Sequence, residues 1–350
     1  MFDSMDSMGG NTSEQAGLPF RTRFFYGWVI VAISALTIFF SGPGQTYSVS
    51  TFIDSYISEF GWSRSVVSGM YSLGTLVAGL GMGVMGNLFD RRGHRLMTTV
   101  VAVLFSLACV WMSLVSSVPM LLAGFLLIRL LGQGSMGLSS STLAPQWFIA
   151  KKGQALSLIT LGGVVSSAVL PPLNTWIIQN YGWQMGWRFW AALLCLVMTP
   201  IAYFLIRDRP EDVGLWPDDF QPVETTENAA ADLFEEVSWT VREAMSTRCF
   251  WFLLFCRMIP SAIGTGLIFH QVSIMAQVGL PLEAAAVVLS AMAVVRLPVT
   301  LLAGQVVDRV PTRFLIASSQ GGFFVSMILL LLAKSMTGAL AYGLLIGVIM

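Results

Sequence analysis

Apolar residues fall into ten long blocks separated by short polar turns, near 26–50, 64–88, 96–117, 119–148, 154–179, 185–206, 249–278, 282–305, 313–335 and 338 onward. A helix needs about 20 apolar residues to cross about 30 Å of hydrocarbon. The pattern therefore predicts nine complete membrane helices and the start of a tenth, an all-α multi-pass membrane protein. The chain stops at Met350 inside an apolar run.

One stretch interrupts the pattern. Between Arg207 and Arg248 the hydrophobicity collapses, and Pro210, Pro217 and Pro222 accompany eleven acidic residues. The reading is a cytoplasmic tail over 1–24, a six-helix half over 25–206, an acidic cytoplasmic linker over 207–247, and an incomplete second half of about four helices over 248–350. The end of the linker, Val237 to Met245, can form a short amphipathic helix with Trp239 and Met245 toward the headgroups.

Composition agrees with this picture. The chain is 55% hydrophobic and 11% charged, whereas soluble domains carry about 25% charged residues. Cys109, Cys195, Cys249 and Cys256 fall within or at the ends of apolar blocks, without metal-ligand spacing, and read as packing residues. Lys and Arg in short loops favour the cytoplasmic side. Arg21, Arg23, Arg91, Arg92, Arg95, Lys151, Lys152, Arg207, Arg209, Arg242, Arg248, Arg309 and Arg313 collect on one side, against Arg64, Arg188 and Lys334 on the other. The N-terminus is thereby placed in the cytoplasm.

Two turns say nearly the same thing 218 residues apart: Gly86-Asn-Leu-Phe-Asp90-Arg91-Arg92-Gly93-His94-Arg95 and Gly304-Gln-Val-Val-Asp308-Arg309-Val-Pro311-Thr-Arg313. The glycine is expected to let two helices close together, and the charges to lock the turn. This pattern and its recurrence resemble the signature loop of the major facilitator superfamily, between the second and third helices and, more weakly, the eighth and ninth. The resemblance implies two parallel six-helix repeats, with two helices and part of a third missing after Met350. It also implies a substrate site between the halves near the midplane, and state-locking roles for Asp90, Arg91, Arg95, Asp308, Arg309 and Arg313.

Small residues line the second block at Gly74, Gly79, Gly81, Gly83 and Gly86 and the fourth at Gly132, Gly134 and Gly137, which suits close helix packing. Gly42-Pro43-Gly44 must bend or break the first helix at mid-depth, and the backbone groups it frees need partners.

Ionisable side chains at membrane depth are costly and by default suggest function. They are Arg129 in the fourth block, Arg257 in the seventh, Arg296 in the eighth and His270 in the seventh, with Gln271 beside it. No Asp or Glu lies at that depth. Arginines without carboxylate partners need an anion or backbone carbonyls to compensate them, and the arginine fork suits a carboxylate. A small organic anion follows as the substrate class. Each residue also has a structural reading: Arg129 as a packing residue, Arg257 snorkelling to the surface, and His270 as an interhelical hydrogen bond.

The stretch Gln146-Trp147-Phe148-Ile-Ala-Lys151-Lys152-Gly153-Gln-Ala155, running on to Gly162-Gly163, resembles the junction of the fourth and fifth helices in the monocarboxylate transporter and oxalate–formate antiporter branch. Gly27-Trp28 and Phe60-Gly61-Trp62-Ser63 fit the same branch. There an arginine of the eighth helix pairs with the substrate carboxylate, and Arg296 is the matching residue. Arg296 lies eight residues before Gly304, on the same helix face as the branch's usual place four before it.

Without a Gly-x-x-x-x-Gly-Lys-Ser/Thr sequence the chain does not hydrolyse ATP. Flux would be passive or coupled to a second gradient, with a proton riding on His270, on Asp54 if the first helix places it in the cavity, or on the substrate itself. The expectation is a monomeric, cofactor-free and metal-free secondary transporter of monocarboxylates in the plasma membrane (the inner membrane of a bacterium), whose partners are the anion, protons and lipid, with no nucleic acid and no enzymatic activity. Two alternatives stand beside it: an exporter of amphipathic drugs or metabolites, against which Pro171-Pro172 without a Gly-rich frame counts, and a non-transporting sensor or assembly subunit.

Overall fold

The computed structural model describes residues 24–149, 151–219, 241–280, 282–307 and 310–349, and every regular element among them is helical. Among the described residues, eight helices are long and apolar enough to cross a membrane: Gly27–Gly44, Arg64–Arg92, His94–Met112, Val118–Gln146, Lys152–Tyr181, Trp183–Leu205, Arg248–Gln271 and Arg313–Leu332. Shorter apolar helices cover Val287–Thr300 and Met336–Ile349. Together they account for the ten apolar blocks, and from here they are the first to tenth helices. Large apolar side chains lie bare on their outer faces, among them Leu80, Leu196, Phe252 and Leu331, the last 83% exposed. Such faces call for hydrocarbon as solvent.

The first block differs from expectation. Instead of ending near residue 50, the chain breaks at a 3-10 turn over Gly42–Gly44 and continues helically in short pieces to Phe60. Gly61 ends it with φ +67°, a left-handed conformation that glycine adopts without a Cβ penalty. Ser63 then caps the second helix, accepting from the Val66 amide at 3.3 Å.

Two compact units make up the chain, Met1–Asp219 and Phe220–Met350. The expected linker thus begins inside the first unit. Val213 is buried there, the Asp218 amide donates to the Trp147 carbonyl at 3.1 Å, and the Asp218 carboxylate accepts from the Ile149 amide at 2.6 Å. Of the expected amphipathic segment, Val241–Ser246 is helical; Trp239 lies outside the described residues.

In the first unit, glycines decide which helices touch. A Cβ on Gly162 of the fifth helix would strike the Ala35 carbonyl of the first, and one on Gly42 would strike Ser166 and Leu170. Gly74 and Gly81 bring the second helix against Phe125, Leu126 and Leu130 of the fourth. Gly79, Gly83, Gly86 and Gly137 face open space within the structure, so the expected packing stripe is only partly used. In particular, a Cβ on Gly86 of the repeated turn would meet nothing within 4 Å among the described residues.

The second unit is built on the buried cluster of Met275, Val288, Met292, Phe323, Ala339, Tyr342 and Ile346. Gly343 and Gly347 of the tenth helix let it lie against Val288 and Met292 of the eighth.

Candidate functional site

Two backbone irregularities meet in the first unit. The first helix breaks at Gly42-Pro43-Gly44, and the fourth opens into a π-helical turn over Arg129–Met136. They touch directly, since a Cβ on Gly44 would collide with the Ile128 carbonyl and crowd Gly132 and Gln133. Pro43 has no N–H to give the carbonyl four residues back, which is that of Phe39. Ser166 of the fifth helix supplies the donor at 2.9 Å, and the Tyr47 hydroxyl in turn donates to Ser166 at 2.9 Å.

Arg129 serves the other side of the break. It is 6% exposed, and its Nη1 donates to the Gly44 carbonyl at 3.3 Å and to Thr46 Oγ1 at 3.4 Å. The guanidinium carbon stands 5.1 Å from the centroid of the Tyr71 ring, a cation–π distance, and Thr46 Oγ1 pairs with the Tyr71 hydroxyl at 2.8 Å. Backbone, hydroxyl and ring thus surround the buried cation. Further along the first helix, Asn174 donates to Ser48 Oγ at 2.9 Å and accepts from Trp190 Nε1 at 2.7 Å. The break and the helical piece after it are therefore joined by polar contacts to the second, fourth and fifth helices, and through Asn174 to the sixth.

The other membrane-depth groups lie in the second unit. Arg257, Arg296 and His270 are exposed, and Arg257 pairs with no acid among the described residues. Gln271 is 1% exposed, with neither amide atom hydrogen-bonded among the described residues. Leu267, Ile274 and Met275 around it pack on the cluster that contains Tyr342. Pro260 repeats the logic of Pro43. It leaves the Cys256 carbonyl without a donor, and Gln320 of the ninth helix donates to that oxygen at 2.8 Å.

The first repeated turn is held differently from the reading of its charges. Gly93 turns with φ +79°, and Arg95 is tied down, its backbone N–H donating to Asp208 Oδ1 at 2.7 Å and its Nε to the Tyr203 carbonyl at 2.8 Å. Asp208 thus caps the third helix from a distance, placing negative charge at a helix N-terminus. Asp90, Arg91 and Arg92 are exposed and form no ion pair among the described residues. In the second turn Asp308 and Arg309 lie outside the described residues. Pro311 occupies the capping position that Gly93 holds in the first, and the Arg313 guanidinium lies 4.9 Å from the Phe314 ring centroid.

Asp54 pairs with Arg64 across the turn between the first and second helices. Its carboxylate is held at the helix ends, with the side chain 71% exposed, and not at the break. At the same end the Tyr56 hydroxyl accepts from Trp187 Nε1 at 2.8 Å, and burial pushes this phenol far above its ordinary range.

The aromatic pairs of the two distant motifs meet. Phe148 lies 5.0 Å from Trp28 and 5.5 Å from Phe25, and Trp147 lies 5.7 Å from Tyr26, centroid to centroid. The Tyr26 hydroxyl donates to the Leu205 carbonyl at 2.8 Å.

A bundle of apolar helices with a broken first helix, prolines bridged by neighbouring side chains and cations at membrane depth defines a multi-pass membrane protein. The chain belongs to the Major Facilitator Superfamily, whose sequence model matches residues 17–350. It is 27% identical to monocarboxylate transporter 9 of Mus musculus over 45% of its own length and 31% of the relative's. It is 26% identical to multidrug resistance protein MdtG of Yersinia enterocolitica, over 57% and 47%, and 26% identical to the efflux pump radE of Floropilus chiversii, over 51% and 33%. The chain thus spans about a third to a half of these curated relatives. In fold it is similar to a bacterial homologue of the lysosomal transporter Spinster, with TM-score 0.63, 15% identity and coverage of 93% of this chain and 72% of that one. A double-tryptophan mutant of XylE gives 0.61 at 17% identity, over 92% and 81%.

Proposed function

We propose that the protein is a secondary transporter of small organic anions, monocarboxylates first among them, working by alternating access. The family and the fold support a transporter over an enzyme. One observation carries the substrate class: the ionisable residues at membrane depth are all basic. The spans contain Arg129, Arg257, Arg296 and His270 and no Asp or Glu at that depth. The two arginines of the second unit and His270 are exposed, whereas Arg129 is buried among its own partners. Arg296 and Arg257 are therefore the anion anchors of this reading, with His270 and Gln271 as polar neighbours and Arg129 as a structural residue.

A proton travels with the anion or on His270, and the N-terminus lies in the cytoplasm of a monomer embedded in the plasma membrane. Asp308-Arg309 is kept as a gating turn by analogy with Asp90-Arg91. Efflux of amphipathic drugs or metabolites is the second reading, because an efflux pump and a multidrug resistance protein stand among the relatives.

Uptake of labelled lactate, pyruvate, formate and oxalate into proteoliposomes, with a neutral dye as control, tests the choice. Saturable carboxylate uptake without dye movement supports the anion reading, and acceleration by an inward proton gradient supports symport. Dye movement without carboxylate uptake selects the exporter.

A further inference from the structure

The fourth helix is enclosed for most of its length. Between Leu121 and Ser140 every residue is buried or half-buried except Gln133. This residue sits at the middle of the 29-residue span Val118–Gln146, inside the π-helical turn. Its neighbours show which way it faces. A Cβ on Gly132 would meet the Phe105 ring of the third helix, and one on Gly134 the Met82 thioether of the second. The Gln133 backbone nitrogen itself lies 3.1 Å from where Gly44 of the first helix would carry a Cβ. Three sides are occupied by other helices, and the Gln133 side chain takes the side left open.

Among the described residues its amide has no hydrogen-bond partner. A primary amide turned toward hydrocarbon would be strongly unfavourable, so the open side is one that water or a ligand reaches. Wide helical turns of this kind recur at functional sites. One turn earlier lies Arg129, whose contacts run inward to Gly44, Thr46 and Tyr71. Its fork is therefore already occupied, while its charge still acts through a low-dielectric medium.

Resting on the anion reading above, we propose that Gln133 is a specificity-determining residue whose amide contacts the keto or hydroxyl oxygen of a 2-oxo- or 2-hydroxycarboxylate. A primary amide both donates and accepts, matching a hydroxyl or a keto group, whereas a carboxylate only accepts and is better served by an arginine fork. The buried Arg129 charge beneath favours an electron-rich oxygen over a methylene at this point.

The test compares lactate and pyruvate with propionate, which has the same carbon number and no second oxygen. Uptake is measured in proteoliposomes carrying the protein from its first residue to its natural stop. Gln133→Leu is expected to raise KM for lactate and pyruvate about tenfold, the size of one well-made hydrogen bond, and to move propionate far less. Equal shifts for all three, or no shift, overturn the assignment and leave the anion reading standing. Absence of carboxylate uptake in the unsubstituted protein removes the anion reading and this inference with it. Gln133→Cys, placed in a background with Cys195, Cys249 and Cys256 changed to Ser, gives a readout independent of flux. Modification by a water-soluble thiol reagent, slowed by lactate and not by propionate, is expected; an unreactive thiol overturns the proposal.

Discussion

Ser166 Oγ donates to the carbonyl oxygen of Phe39 at 2.9 Å, the acceptor that Pro43 leaves without an N–H partner. Within hydrocarbon no water replaces such a donor. Ser166→Ala should therefore remove the side-chain donor to the Phe39 carbonyl and the acceptor of the Tyr47 hydroxyl, at a cost of about 1–3 kcal/mol. Unfolding in detergent micelles, followed by tryptophan fluorescence, measures it; an unchanged midpoint would show that the first helix does not depend on this bridge.

Gln320 and Pro260 allow a cleaner version of the same experiment in the second unit. Gln320→Leu removes the donor to the Cys256 carbonyl. Pro260→Ala restores a backbone N–H to that acceptor. A double-mutant cycle should show Gln320→Leu costing about 1 kcal/mol in the native background and little beside Pro260→Ala. Additive costs would separate the two residues.

Arg129 holds the break through the Gly44 carbonyl, Thr46 and the Tyr71 ring. Arg129→Met should destabilise by about 2–3 kcal/mol, since hydrogen bonds to charged groups are lost and buried acceptors remain. Tyr71→Phe should cost about 1 kcal/mol, keeping the ring under the cation and losing the hydroxyl paired with Thr46. If Arg129→Met instead stayed folded with native stability and lost anion binding, the structural assignment would give way to a ligand-contacting one.

Gly162 has no room for a side chain against the Ala35 carbonyl, whereas Gly79 has nothing within 4 Å. Gly162→Val should be destabilising by more than about 1–3 kcal/mol, because backbone must move, while Gly79→Ala should be neutral or slightly stabilising. Unfolding midpoints in detergent micelles rank them, and equal effects would mean that the first and fifth helices do not pack as described.

The ten blocks and the repeated turn were legible because membrane crossing depends on the length of an apolar run, an intrinsic property of the chain. The break at Gly42-Pro43-Gly44 was equally plain. Counting four residues back from Pro43 or Pro260 even names the stranded carbonyls. The residues that answer them, Ser166 and Gln320, sit on other helices and carry no local signal. Asp208 was hidden for another reason: it read as linker acid, and only the folded chain brings it under Arg95. Gly86 and Gly137 looked like packing residues because glycine spacing is visible and the facing helix is not. Arg129 appeared as one of several membrane-depth cations, and its partners came from a break whose geometry the sequence only announced.

The central claim is that exposed arginines in the second unit carry a small organic anion. Initial rates of labelled lactate and oxalate uptake, measured in proteoliposomes for the native protein, Arg296→Gln and Arg296→Lys, test it most directly. Uptake should be saturable in the native protein, fall at least about a hundredfold in Arg296→Gln, and recover only in part in Arg296→Lys, because an ammonium cannot reproduce the bidentate fork. Carboxylate uptake that proceeds at native rates in Arg296→Gln and in the corresponding Arg257→Gln protein would contradict the account.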